Sequence, residues 1–283
     1  TTHGLGLNDS ALARAPKQAS LLLRLKEFKA TNTGSSMMTE QQLKIEDHKI
    51  ATLRELEKKG LIQSSHQPFI PDDCQSVLTG QDADPPPEQN QEQKNAYQQL
   101  AIKEGFQATL LEGITGSGKT EVYLRCIADA LNAGKQALVL VPEIGLTPQT
   151  IHRFTRRFAI TIAIFHSGLN DKERLAAWAT ARNAEAKIII GTRSAIFAPM
   201  PELGLIIIDE EHDASYKQQD TLRYSARDTA IYRAQLEDIP IILGSATPSL
   251  ESLSNAKFGR YQHHQITARA GTAKPPIIEL IDI

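Results

Sequence analysis

The chain has 283 residues, of which 41% are hydrophobic, and carries a net charge of −2; at roughly 150 residues per domain this is material for about two domains. That composition excludes a disordered or collagen-like chain and leaves enough apolar surface for a sizeable core, and no apolar run reaches membrane-spanning length. The two cysteines, Cys74 and Cys126, have no disulfide-scaffold or zinc-ligand spacing, which points to a reduced, cytoplasmic protein with no membrane association.

The chain opens on Thr1-Thr2-His3-Gly4, with no initiator Met, basic segment or apolar signal core, so it reads as a piece of a longer protein. Leu21, Leu22, Leu25 and Phe28 share one helical face. A short helix over Thr39–Lys44 follows a Gly34-Ser35-Ser36 turn. A third helix carries Ile50, Leu53 and Leu56 and ends at Lys58-Lys59-Gly60, with cations and glycine where a C-terminus favours them. A strand-like segment begins at Leu61-Ile62. Three small helices and a strand over residues 1–70 fit a winged-helix module or a generic three-helix interaction domain. Residues 1–70 balance at +3, 71–92 at −6 and the remainder at +1. The acidic stretch 71–92, with Pro85-Pro86-Pro87, reads as an extended linker.

From residue 93 onward, strands and helices alternate. Strands are expected at Ala108–Leu111, Ala137–Val141, Ile160–Phe165, Lys187–Ile190, Leu205–Ile208 and Ile239–Leu243. Helices are expected at Thr120–Asn132, near Gln149–Phe158, from Asn170 (with Glu173 completing a capping box) to Thr180, and over Ala226–Leu236. Strands this apolar belong in a sheet covered on both faces. The fold class is therefore α/β, a P-loop domain with a mostly parallel sheet over 93–283. Trp178 is expected to be packed.

Gly113-Ile114-Thr115-Gly116-Ser117-Gly118-Lys119-Thr120 matches the phosphate-loop pattern in full, between a strand and a helix. Its glycines let backbone N–H groups face phosphate oxygens, and the helix adds its positive N-terminus. Lys119 is assigned to the β- and γ-phosphates and the Thr120 hydroxyl to Mg²⁺. The strand ending at Ile208 delivers Asp209-Glu210-Glu211-His212 to the sheet's carboxyl edge, where ligand chemistry belongs. Asp209 is the Mg²⁺ ligand and Glu210 the group that orients and deprotonates the attacking water. Glu211 reads as a bystander. His212 reads as either a coupling residue or a hydrogen-bonded loop histidine. Gly244-Ser245-Ala246-Thr247-Pro248 follows another apolar strand.

Together these three boxes resemble superfamily 2 helicases and translocases, which implies a RecA-like domain binding ATP and Mg²⁺, with Ser245 and Thr247 coupling the γ-phosphate to nucleic acid. The segments Val141 to Gln149, His166-Ser167-Gly168, Gly191-Thr192-Arg193-Ser194, Asp209 to Gln219 and Arg223 to Asp228 resemble the bacterial primosomal replication-restart helicases, the PriA family. The resemblance is near-continuous from Asn90 to Ser252 and fainter over 15–70, where that family has a winged helix. It implies a monomeric 3′→5′ DNA helicase acting on forked and single-stranded DNA, with single-stranded DNA-binding protein and other primosome proteins as partners. Asn90-x-x-Gln93 resembles an element whose glutamine contacts adenine. Thr192 and Arg193 would meet DNA phosphates. Tyr216, Arg223 and Tyr224 would lie in an aromatic-rich loop that stacks on bases, although Leu222 stands where some relatives carry an aromatic residue. The family's zinc-binding cysteines and the second lobe with its arginine finger are not in this sequence, so the chain is expected to bind ATP, to hydrolyse it poorly alone, and to bind no zinc. A different superfamily 2 duplex translocase and a nucleotide-switched DNA-binding adaptor are the competing readings.

Overall fold

Apolar runs with almost no polar interruption are satisfied by strands covered on both faces, and the computed structural model arranges them so. It describes residues 18–23, 50–62, 76–80, 83–100, 105–220 and 222–270. The chain divides into two units, Thr1–Phe69 and Ile70–Ile283.

In the first unit, residues 18–23 and α1 (Ile50–Lys58) are helical, and Leu21, Leu56 and Leu61 form a small core with Leu22, Leu53 and Ile62 packed against it. Gly60 is left-handed (φ 68°), Leu61 N–H donates to the Leu56 carbonyl and Gly60 N–H to that of Glu57, the paired bonds of a glycine-terminated helix. Leu61 and Ile62 cap the helix and fill the core, and the rest of the strand expected to begin with them lies outside the described residues. Leu25, Phe28 and Thr39–Lys44 lie outside the described residues.

The second unit is built on an eight-stranded sheet in the order β1-β4-β5-β3-β6-β9-β2-β10. In chain order the elements are β1 (Val77–Thr79), α2 (Gln91–Leu100), β2 (Gln107–Gly113), α3 (Lys119–Asn132), β3 (Gln136–Leu140), α4 (Pro148–Arg157), β4 (Thr161–Phe165), α5 (Asp171–Arg182), β5 (Ile188–Gly191), β6 (Leu203–Ile208), β7 (Lys217–Gln218), β8 (Tyr224–Ser225), α6 (Ala226–Leu236), β9 (Pro240–Ser245), α7 (Leu250–Lys257) and β10 (Gln262–Ile266). Only β1 runs antiparallel in the sheet, and β7 and β8 form a separate antiparallel pair. Alternate residues feed two cores: Leu138, Leu140, Ile206 and Ile208 face one side, Ala137, Val139, Leu205 and Ile207 the other. The phosphate-loop helix α3 packs on the second side through Val122, Tyr123, Cys126 and Ile127. Helices α5 and α6 cover the first, with Ala226, Ala230 and Ala234 aligned on one face of α6.

The predicted capping box at α5 is formed, Asn170 accepting from Glu173 N–H and Glu173 from Asn170 N–H, both at 3.0 Å. Two expectations are corrected. The stretch read as a linker contains β1, paired with β4 at the sheet edge, and its end belongs to α2. Its proline segment has no regular secondary structure and is tied down: Asp84 pairs with Arg156 at 2.7 Å and the Pro87 carbonyl accepts from Arg125 at 2.9 Å. Trp178 is not packed away; it is 40% exposed, with the Arg182 guanidinium 5.2 Å above its ring.

Because α6 meets the sheet through alanines, there is no room for a larger side chain. Ala230→Leu is expected to cost ~1–3 kcal/mol, read as a lower urea midpoint with an unchanged slope.

Candidate nucleotide site and nucleic-acid interface

The strand order places β9 between β6 and β2, all parallel, with Leu243 in register with both Ile208 and Leu110. Three loops therefore leave the same carboxyl edge side by side: the phosphate loop after β2, the acidic box after β6, and Ser-Ala-Thr after β9.

In the phosphate loop Gly116 and Gly118 hold φ of 82° and 84°, conformations open to glycine at no steric cost. Lys119 is buried and its Nζ donates to the Gly113 carbonyl at 2.7 Å, folding the cation back over the loop. The Ser117 hydroxyl is buried and finds no protein partner, a costly state for a donor that an incoming oxygen would relieve. Ile114, Thr115 and Gly116 are exposed and Thr120 is partly so. The cradle and its donors suit a phosphate group. Beside Thr120 a cleft of about 360 Å³ opens between Pro85 and Pro87 on one wall and His152, Arg153 and Arg157 on another.

Gln93 is 3% exposed and both ends of its amide are engaged: Nε2 donates to the Ser117 carbonyl at 2.8 Å, and Oε1 accepts from Asn90 N–H at 3.0 Å while Asn90 Oδ1 caps Gln93 N–H. The glutamine thus braces the phosphate loop from α2 instead of standing free for a base.

The acidic box divides its work by geometry. Asp209 lies beside Lys119; burial and the Glu210 charge raise its carboxyl above the usual range, opposed by the Tyr123 hydrogen bond and by Lys119. Tyr123 Oη donates to Asp209 Oδ1 at 3.1 Å and Tyr216 Oη to the Asp209 carbonyl at 2.6 Å. Glu210 takes a left-handed backbone (φ 46°), a strained state of the kind held at functional turns, and its carboxylate is partly open to solvent. Glu211, read as a bystander, is a buried hub: it accepts from Ser249 N–H at 2.7 Å, Ser252 Oγ at 2.9 Å, and Ser249 Oγ and Arg227 Nη1, both at 3.1 Å.

His212 is hydrogen-bonded to the loop after β9 through both ring nitrogens. Its Nδ1 sits 2.7 Å from Ser245 Oγ and its Nε2 3.2 Å from Thr247 Oγ1, while Thr247 N–H donates to Ser245 Oγ at 3.0 Å. The acidic box and Ser-Ala-Thr are one hydrogen-bonded unit.

The residues expected at DNA separate. Thr192 is buried, with no surface for a phosphate. Arg193 Nη1 donates to the Ser215 carbonyl at 3.2 Å and Nη2 lies 3.9 Å from Glu143. Tyr216 cannot stack on a base: its ring is 2% exposed, so it presents no face. Tyr224 is half-buried and meets Phe197 edge-to-face, centroids 5.0 Å apart; Phe197, missed in the sequence, is 55% exposed. Arg223 is exposed, its Nε on the Gln219 carbonyl. Phe197 and Tyr123 carry no motif signal, and Glu211 lies within the acidic box, which does not show that it turns inward; a tyrosine four residues after the phosphate-loop lysine, on the helix's buried face, needs a hydroxyl partner.

Residues 90–256 match the DEAD/DEAH box helicase family, and the chain belongs to that family, which implies use of a nucleotide and Mg²⁺. Within it the chain is similar to the replication restart protein PriA of Haemophilus influenzae, 55% identical over 184 residues (65% of this chain, 25% of the relative). It is also similar to PriA of Synechocystis, 47% over 236 residues (83% and 27%), and of Bacillus subtilis, 41% over 240 residues (84% and 30%). The family resemblance drawn from the motifs is borne out, and the chain spans about a quarter of the length of these relatives. A structure of RecG bound to a three-way DNA junction superposes with a TM-score of 0.51 at 25% identity, covering 68% of this chain and 25% of that one, in keeping with the RecA-like fold. No helix among the described residues is long and apolar enough to cross a membrane.

The two neighbouring glutamates should behave oppositely. Glu211→Ala removes the buried acceptor shared by Ser249, Ser252 and Arg227, leaving Arg227 to Asp228, and is expected to destabilise the second unit by ~1–3 kcal/mol, whereas Glu210→Gln should stay within ~0.5 kcal/mol of the parent, both by urea unfolding.

Proposed function

We propose that this chain is the ATP-binding lobe of a 3′→5′ superfamily 2 DNA helicase that acts on forked structures to restart replication, and that residues 1–70 form a winged-helix domain ahead of it. The observation that carries the reading is the His212–Ser245–Thr247 triangle. It ties the strand end bearing Asp209 and Glu210 to the Ser-Ala-Thr loop, as a motor that converts phosphate state into movement requires. The polarity, the fork and the primosome partners rest on the PriA resemblance.

In this reading Lys119 leaves the Gly113 carbonyl for the β- and γ-phosphates, and Ser117 Oγ and the loop N–H groups take the remaining phosphate oxygens. Thr120 and Asp209 would hold Mg²⁺, which when bound would neutralise charge on the transferred phosphate. Glu210, open to solvent, orients the attacking water and takes its proton. Gln93 holds the loop in shape from α2. Arg193, Arg223, Tyr224 and Phe197 face DNA, the cations on phosphates and the aromatic pair offering a stacking surface. The arginine that stabilises the transition-state charge comes, by the family resemblance, from the second lobe. A branch-migration translocase is the second reading, favoured by the RecG likeness at the level of fold; the identity to PriA, 55% against 25%, favours the first.

A fluorescent nucleotide and a turnover assay test this. The chain should bind Mg²⁺–nucleotide, lose binding in Lys119→Ala, and turn over negligibly with or without forked DNA; robust DNA-stimulated turnover by the isolated chain would remove the half-site reading. In the full-length protein Glu210→Gln should keep nucleotide binding and lose at least ~100-fold in DNA-stimulated turnover. A switch-only adaptor would retain its function in that variant. Tyr224→Ala should weaken single-stranded DNA binding by ~1–3 kcal/mol, whereas Tyr216→Phe should leave it unchanged in the same titration.

A further inference from the structure

Tyr123 lies outside the motifs but touches two of them. It sits on α3, one turn after Lys119, fully enclosed in the core between α3 and the sheet. Its hydroxyl reaches two strand ends at once. It donates to Asp209 Oδ1 at 3.1 Å after β6, and it lies against the backbone of Gly244 in β9, where a Cβ would come within 1.5 Å of the phenol oxygen. Gly244 immediately precedes Ser245, the hydroxyl joined to His212. A tyrosine hydroxyl is protonated at neutral pH, so it is a fixed donor.

We propose that Tyr123 is a positioning residue for the metal-binding carboxylate: its hydroxyl occupies Oδ1 of Asp209, sets the rotation of the carboxyl group, and leaves Oδ2 for Mg²⁺. Gly244 is glycine because the phenol needs the space that a Cβ would fill. The phosphate-loop helix, the Mg²⁺ ligand and the root of Ser-Ala-Thr are thereby keyed to one oxygen atom. A carboxylate at the end of a strand has two rotatable bonds and a neighbouring like charge in Glu210; without a donor on one oxygen, part of the metal's binding energy goes to ordering it. The inference rests on the nucleotide-lobe reading above.

The test uses the full-length protein and a fluorescent non-hydrolysable ATP analogue, with Mg²⁺ titrated at fixed nucleotide. Tyr123→Phe keeps the ring and removes the donor. Its half-saturating Mg²⁺ concentration is expected to rise about tenfold or more, in line with the loss of one hydrogen bond to a charged group, while nucleotide affinity without Mg²⁺ stays at the parent value. Gly244→Ala keeps the hydroxyl but displaces it, and should raise the same Mg²⁺ midpoint. A Tyr123→Phe midpoint within twofold of the parent overturns the proposal, even with a lowered melting temperature, since a purely structural role moves stability and not metal dependence. That result decides whether or not Gly244→Ala folds. If the parent protein itself shows no Mg²⁺-dependent binding that Lys119→Ala abolishes, the nucleotide-lobe reading falls and this inference with it.

Discussion

The parallel register of β6, β9 and β2 is the constraint on which the site depends. Because Leu243 aligns with Ile208 on one side and Leu110 on the other, the segments that follow the three strands leave the same edge of the sheet side by side. Gly244 and Ser245 lie opposite Leu111 and Glu112, at the root of the phosphate loop, while Asp209 N–H donates to the Leu140 carbonyl at 2.9 Å and so stays seated on β3. A one-residue slip in any of these strands would also turn its side chains to the opposite core. The continuous isoleucine and leucine runs that fix the register thus fix the chemistry.

The same constraint makes the acidic box expensive, and its geometry answers that expense one residue at a time. Asp209 is enclosed at the sheet edge and is stabilised by Tyr123 and Lys119. Glu211 is enclosed more deeply and neutralised by Arg227, with two serine hydroxyls and one N–H completing its shell; an unpaired carboxylate there would be several kcal/mol less stable. The left-handed turn at Glu210 is what separates them. In an extended backbone alternate residues share a face, which would send 209 and 211 the same way; the turn sends one to α3 and the other beneath α7, and leaves the carboxylate between them near water.

Much of this was legible because the signals were long and redundant. The apolar strands β3 to β6 and β9, the phosphate loop and the α5 capping box are each specified by several residues acting together. What escaped was short or polar. β1 has three residues at a sheet edge, where pairing with β4 and not a side-chain pattern makes the strand. β10 reads Gln-His-His-Gln-Ile, and α2 is polar enough that only Gln93, Ala96 and Leu100 are buried along it. At Leu61 the backbone N–H is taken by a helix cap. At the site, motif spacing identified which residues matter but not which way they face: Glu211 looked incidental, and Tyr216, grouped with an aromatic-rich loop, is enclosed.

The enclosed tyrosine alters how the loop after the acidic box is connected to Asp209. A stacking platform would join base to loop from outside, and Tyr224 with Phe197 offers that surface. Tyr216 instead joins loop to strand from inside. Its hydroxyl is held by the Asp209 carbonyl, and one residue earlier the Ser215 carbonyl is held by Arg193. Phenylalanine would fill the same space, but it would remove the Asp209 carbonyl's partner and cost ~1–3 kcal/mol if no water replaced it. Asp209 is therefore gripped at both ends by phenols from different elements, Tyr123 from the phosphate-loop helix at the side chain and Tyr216 from the loop at the backbone. A displacement of the loop reaches Asp209 through one hydrogen bond, and Arg193 holds the residue that precedes Tyr216. Such a connection transmits position without requiring the tyrosine ever to meet a base.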